Sequence, residues 1–161
     1  MKILIISDSH GDNNAVISVI NKEKPEMLIH LGDVENDIFE IEQALGVPSV
    51  PAVFIRGNCD LYDKRLRQVA VFELKGHRFF ASHGHLQRAS WEYSNLVYSA
   101  EENDCDIALY GHTHVPLDEE FGDVRVLNPG SISRPRGGSK KSYIIMDMDD
   151  DGEYSVEFKN I

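Results

Sequence analysis

Cysteine is scarce, basic charge is outnumbered, and long apolar runs are missing. The two cysteines, Cys59 and Cys105, have no CxxC spacing. Neither a disulfide framework nor a cysteine-rich zinc site is therefore expected, and free thiols are the default. Sixteen Lys and Arg face 27 Asp and Glu, a formal charge of −11. A surface that acidic repels polyanions, which argues against long nucleic acids as partners. The longest apolar runs, such as ILII at 3–6, are too short for a membrane span or for the core of a secretory signal. The expectation is a cytoplasmic protein with no membrane partner. With 42% apolar and 27% charged residues in 161, the composition is that of one soluble globular domain, residues 1–161. The acids are either a solvated surface or carboxylates gathered to hold cations, and composition alone leaves both open.

Two periods alternate over the first sixty residues. KILIIS (2–7) and EMLIHL (26–31) are buried-strand runs, each ending in a polar, Gly-bearing cluster. Between them, residues 12–23 place Val16, Ile17 and Ile20 on one stripe, with Asp12 or Asn13 as N-cap and Pro25 beyond the end. Residues 36–45 repeat the helical pattern, and SVPAVFI (49–55) is a third strand. The order β-α-β-α-β predicts a parallel sheet whose ligands sit beyond the carboxyl ends of its strands. Later strands are predicted at 68–74, 78–82, 105–110, 124–128, 142–148 and 154–158, with one helix over 90–103. The fold class expected is α/β, a four-layer α-β-β-α sandwich of two mixed β-sheets with flanking helices.

What stands at the strand ends is more informative than any single motif. Asp8 and His10 follow the first strand, Asp33 the second, Asn58 the third, His83 and His85 the strand at 78–82, and His112 and His114 the strand at 105–110. In a parallel or mixed sheet such ends can converge on one rim. A mixture of imidazole with Asp and Asn oxygens suits Mn, Fe, Ni, Co or Zn better than it suits a thiolate site. Seven ligands exceed what one tetrahedral ion takes and fit two ions sharing a bridging carboxylate. Asp33, alone on its loop, is the natural bridge.

DSH (8–10), GD (32–33), GNCD (57–60), HGH (83–85) and GHTH (111–114) resemble, in order and setting, the calcineurin-like metallophosphoesterase superfamily. The likeness is greatest to its small bacterial and archaeal phosphodiesterase branch, which NPGSISRPRGG (128–138) also resembles. The resemblance implies that Asp8, His10, Asp33 and His114 hold one ion and Asp33, Asn58, His83 and His112 the other. Manganese is the first choice, with nickel, iron, cobalt or zinc as alternatives. It also implies hydrolysis of small phosphodiesters by a metal-bridging hydroxide attacking phosphorus in line. Asn58, His85 and Asp60 are the residues assigned to catalysis, Asp60 by orienting a neighbour through hydrogen bonds. Cys59 stands where many members carry His, so the leaving group is protonated by His85, by water, or by no acid at all. Gly57 is read as permitting an unusual backbone angle before Asn58. The rival readings are a protein-binding scaffold of the same fold with weak or no turnover, a phosphomonoesterase and a nuclease, the last disfavoured by acidity.

Other features carry plainer readings. His30 and His77 are read as satisfied core or surface histidines, and Cys59 as a nucleophile lacks a free base. DMDDDG (147–152) matches half of an EF-hand loop, but its twelfth position is Phe158, so a hairpin turn is expected. Arg134 and Arg136, with Lys140 and Lys141, are a basic loop that grips a phosphate or is simply solvated. Trp91, Tyr93 and Tyr98 are core or an interface, compatible with a homodimer.

Overall fold

The structure, a computed structural model, describes residues 1–46, 50–60, 63–89 and 92–161. Its elements in chain order are β1 Lys2–Ile6, α1 Asn13–Glu23, β2 Met27–His30, α2 Phe39–Ala44, β3 Ala52–Phe54, β4 Val69–Leu74 and β5 His77–Ser82. They continue with α3 Ser94–Glu101, β6 Ile107–Leu109, β7 Pro116–Phe121, β8 Val124–Pro129, β9 Ser142–Met148 and β10 Tyr154–Asn160. One sheet runs β10-β9-β1-β2-β3 and the other β4-β5-β6-β8-β7. Among the named strands, pairing is parallel in β1–β2–β3 and in β5–β6–β8, and the remaining neighbours are antiparallel. Both sheets are therefore mixed.

Alternation along each strand builds the layers. Ile3, Ile5 and Ile29 meet Phe79, Ala81, Ile107 and Leu109 between the sheets. Their neighbours Leu4, Ile6 and Leu28 turn the other way, onto Val16, Ile20 and Ile41 of α1 and α2. Leu96, Val97 and Ala100 of α3 cover the far face of the second sheet at Phe80, Ala108 and Val126. The result is the expected α-β-β-α sandwich. Each fully buried aliphatic side chain contributes roughly 1.5–3 kcal/mol, and with both faces of the central strands so used, polar chemistry is left to the strand ends.

Three local readings change, and the hairpin expected at 147–152 is found. Strand β7 went unanticipated because no residue of PLDEEF is buried and its middle three are exposed. It is an edge strand whose pairing with β8 closes through Phe121 and Val124 around Gly122, so no period-two pattern marks it. Helix α2 starts at Phe39 rather than 36, because Asn36 Nδ2 donates to the Gly11 carbonyl and Asp37 Oδ1 accepts from the Phe39 amide. Such local bonds compete with helix. Helix α3 is shorter than 90–103, and the first two positions of that range, with Trp91, lie outside the described residues, as does Ser49 of the third predicted strand. Asp149 Oδ1 accepts from the amides of Asp151 and Glu153, folding the DMDDDG stretch into the β9–β10 hairpin. Among the described residues no helix is long and apolar enough to cross a membrane.

Candidate metal centre

The loops that follow β1, β2, β3, β5 and β6 meet on one rim, where the two sheets bring their parallel strands together. Asp8 Oδ1 lies 3.1 Å from His114 Nε2 and 4.0 Å from His83 Nε2. Asp33 Oδ2 lies 3.5 Å from His83 Nε2 and 3.9 Å from His10 Nε2. The Nε2 atoms of His10 and His114 are 3.2 Å apart. The rings of His112 and His85 pack against that of His83, with centroids 5.1 and 5.3 Å away. Asn58 stands exposed on the adjoining loop, which is tied to the centre by the Cys59 amide donating to Asp33 Oδ1 at 2.8 Å. Arg134 and Arg136 project from the loop after β8 and are exposed.

Three imidazoles are aimed by what their outer nitrogens touch. His83 Nδ1 donates to the Leu31 carbonyl at 2.7 Å, His114 Nδ1 to the Arg134 carbonyl at 2.5 Å, and His10 Nδ1 to Glu35 Oε1 at 2.8 Å. An acceptor on Nδ1 fixes the tautomer, so each Nε2 presents a lone pair to the interior of the cluster. Buried atoms there, among them Asp8 Oδ1, His83 Nε2 and His85 Nδ1, have no hydrogen-bond partner. Leaving such atoms unpaired is costly. Carboxylate oxygens and imidazole lone pairs converging on one another fit a divalent transition ion. The ligand atoms of Asp8, His10 and His114, and those of Asp8, Asp33 and His83, each lie within 4.8 Å of one another.

Charge at the centre follows the same arrangement. Burial raises the pKa of the Asp8 and Asp33 carboxyls, but His114, His83 and Ser7 at Asp8, and His83 and Cys59 at Asp33, outweigh it and leave both below the ordinary carboxylate value. Burial lowers His85 and His112, and the neighbouring His83 adds to this. Both effects disfavour the charged form of His85. Burial, then Asp33 and Glu35, pushes the Cys59 thiol up to about 12. It is a thiol, not a nucleophilic thiolate.

The backbone is strained where the ligand-type residues sit. Asp8, His10, Asp33, His112 and His114 all have φ between 44° and 67°, a region costly for residues with a side chain and held only where surroundings over-determine it. Glycines allow the loops to touch. A Cβ on Gly57 would lie 2.0 Å from Asp33 Oδ1, and one on Gly111 would lie 1.9 Å from Ser7 Oγ. Gly57 has no left-handed angle, so the expectation of an unusual angle is corrected: its need is close approach.

The Asn58-Cys59-Asp60 triplet divides its work. Asp60 is buried, with Oδ2 accepting from the Gly57 amide and Oδ1 from the Glu35 amide, both at 2.8 Å. It braces two loops. The sequence reading missed further braces. Ser131 and Ser133 hydroxyls both donate to the Asp8 carbonyl, and Asn128 Nδ2 donates to the Gly111 carbonyl. Their signal was the NPGSIS stretch itself, a run of small polar residues at the end of a buried strand. Glu35, two residues after Asp33, was also passed over.

Comparison with known proteins follows the same lines. The family model of the calcineurin-like phosphoesterase superfamily domain matches residues 1–151. The phosphodiesterase YfcE of Escherichia coli K12 is 31% identical over 170 residues, covering 92% of this chain and 89% of that protein. The probable metallophosphoesterase YsnB of Bacillus subtilis 168 is 30% identical over 154 residues, covering 94% and 86%. The crystal structure of a conserved uncharacterized protein from Streptococcus pneumoniae TIGR4 superposes with a TM-score of 0.82 at 33% identity, covering 99% of this chain and 88% of that one.

Proposed function

The chain belongs to the calcineurin-like phosphoesterase superfamily and is a metal-dependent phosphoesterase, and from that premise we propose that it hydrolyses small phosphodiesters with two divalent ions on the rim. The observation that carries this reading is the set of imidazoles locked by their Nδ1 atoms with Nε2 turned toward the buried Asp8 and Asp33. Asp8, His10, Asp33 and His114 would hold one ion, and Asp33, Asn58, His83 and His112 the other. Asp33 Oδ2 faces both His10 and His83, as a bridging ligand must. Such a pair of ions supplies an activated water and neutralises charge on the phosphoryl oxygens. Manganese is the ion we favour, with Ni, Fe, Co or Zn able to use the same donors.

The remaining roles belong to the chain. Arg134 and Arg136 flank the rim beside His114 and draw the phosphodiester in. His85 completes the imidazole wall behind His83, and a leaving group takes its proton from solvent. We treat residues 1–161 as one such domain. The test is hydrolysis of an aryl phosphodiester after chelation and reloading with Mn, Ni, Co or Zn. Turnover that disappears on chelation and returns on reloading is expected. No turnover with any of the four overturns the reading, and well under one ion per chain would favour a scaffold instead.

A further inference from the structure

Among the three histidines aimed at the centre, His10 is held differently. His83 and His114 lean on main-chain carbonyls, those of Leu31 and Arg134, which no substitution removes. His10 leans on a side chain, Glu35, at 2.8 Å. Glu35 is itself placed with care. Its φ is 61°, unusual for a residue with a long side chain, and its amide is tied to Asp60 Oδ1 at 2.8 Å. Asp60 in turn holds the Gly57 amide, so a chain of bonds runs from the β3 loop through Asp60 and Glu35 to His10. That chain stops at one side of the centre, since His83 takes no part in it.

We propose that Glu35 is a positioning residue for the ion held by His10: it accepts from Nδ1, fixes the ring's tautomer and orientation, and so sets the affinity of that ion alone. Partners of this kind on a ligating histidine typically carry about 10–100-fold in metal affinity. The inference rests on the two-ion reading above. It goes further in making the two positions unequal: the ion held by His10 depends in part on a replaceable side chain, whereas His83 of the other position leans on a main-chain carbonyl.

The experiment titrates chelated protein with Co(II), following the visible absorption of each site and the heat of binding. Wild type should load two ions. Glu35→Ala should weaken one of them by about 10–100-fold and change the spectrum of that site only. Glu35→Gln keeps an oxygen for Nδ1–H and should restore most of the affinity. Glu35→Asp keeps the charge but withdraws the oxygen, and should behave like Glu35→Ala, serving in its place if the alanine variant does not fold. Equal weakening of both sites, unchanged binding in Glu35→Ala and Glu35→Asp, or a Glu35→Gln no better than Glu35→Ala would each overturn the proposal. A wild type that takes up no ion removes the two-ion reading and this inference together, whereas a two-ion wild type with indifferent Glu35 variants removes this inference alone.

Discussion

Histidines at the rim and histidines elsewhere in this chain share a side chain and differ in how many of their nitrogens are spoken for. His83 and His114 each give one nitrogen to a backbone carbonyl and turn the other toward buried carboxylates. His30, also buried, uses both: Nδ1 accepts from the Gly32 amide and Nε2 meets Ser9 Oγ at 3.0 Å. His77, at the opposite end of the second sheet, also uses both, with Nδ1 on Asp106 Oδ2 at 2.5 Å and Nε2 on the Gly152 carbonyl at 2.8 Å. Burial does not separate the groups. His83 shows the form ready for a ligand, one nitrogen anchored and the other without a partner; at His10 and His114 the inner nitrogens meet, among the described residues, only each other and the buried carboxylates, whereas His30 and His77 have both nitrogens engaged by groups that serve the fold.

The strongest way to break this contrast is His83→Gln. If the free nitrogen is a metal ligand, turnover of an aryl phosphodiester should fall by roughly 10³-fold, the several kcal/mol a bound ion contributes to the transition state. Ion stoichiometry should fall from two toward one. The melting temperature of the chelated protein should move by only a few degrees, because the residue lies at a strand end outside the apolar clusters. Retained turnover with an unchanged ion count would remove His83 from the centre.

Much of this was legible before any coordinates, because the relevant signals are local. The runs 2–7 and 26–31 declare buried strands, and the polar residue after each run declares a rim. The edge strand β7 was not legible, since an exposed strand needs no apolar alternation. Nor was the reason for Gly57: the atom it must avoid, Asp33 Oδ1, belongs to a loop more than twenty residues away, and only packing brings the two together. Glu35 escaped for a similar reason. A lone exposed acid has no meaning until the ring it supports is seen beside it, whereas a histidine at a strand end already has one.

The two fully engaged histidines sharpen the contrast through opposite pH slopes. Burial, only partly offset by Asp60 and Asp8, lowers the His30 pKa to about 4, against roughly 6.5 in an unfolded chain. The unfolded state therefore gains a proton that the folded state refuses as pH falls from about 6.5 toward 4. Stability is lost over that window, on the order of 1–3 kcal/mol. His30→Asn should flatten the acid limb of a urea-unfolding profile, and a limb as steep as wild type would mean that other groups dominate it.

His77 should tilt the profile the other way and by less. Burial pulls its pKa down, but Asp106 and the Gly152 carbonyl outweigh it and leave the net shift upward, with Glu153 adding to the effect. Both nitrogens face acceptors, so the geometry is satisfied in full only by the imidazolium. A raised folded pKa means the contribution is complete below about 6.5 and is lost as pH climbs through the folded value. The ring is one quarter exposed and Asp106 more so, and solvent screening holds the effect under about 1 kcal/mol. The wild-type advantage over His77→Gln should accordingly be larger at pH 5.5 than at pH 9. Because the bond joins the start of β5 to the β9–β10 hairpin, the loss should appear as faster amide exchange at that end of the sandwich, with metal uptake at the rim unchanged. A gap that widens toward alkaline pH would mean that His77 is held neutral, and that two engaged nitrogens do not by themselves favour the charged ring.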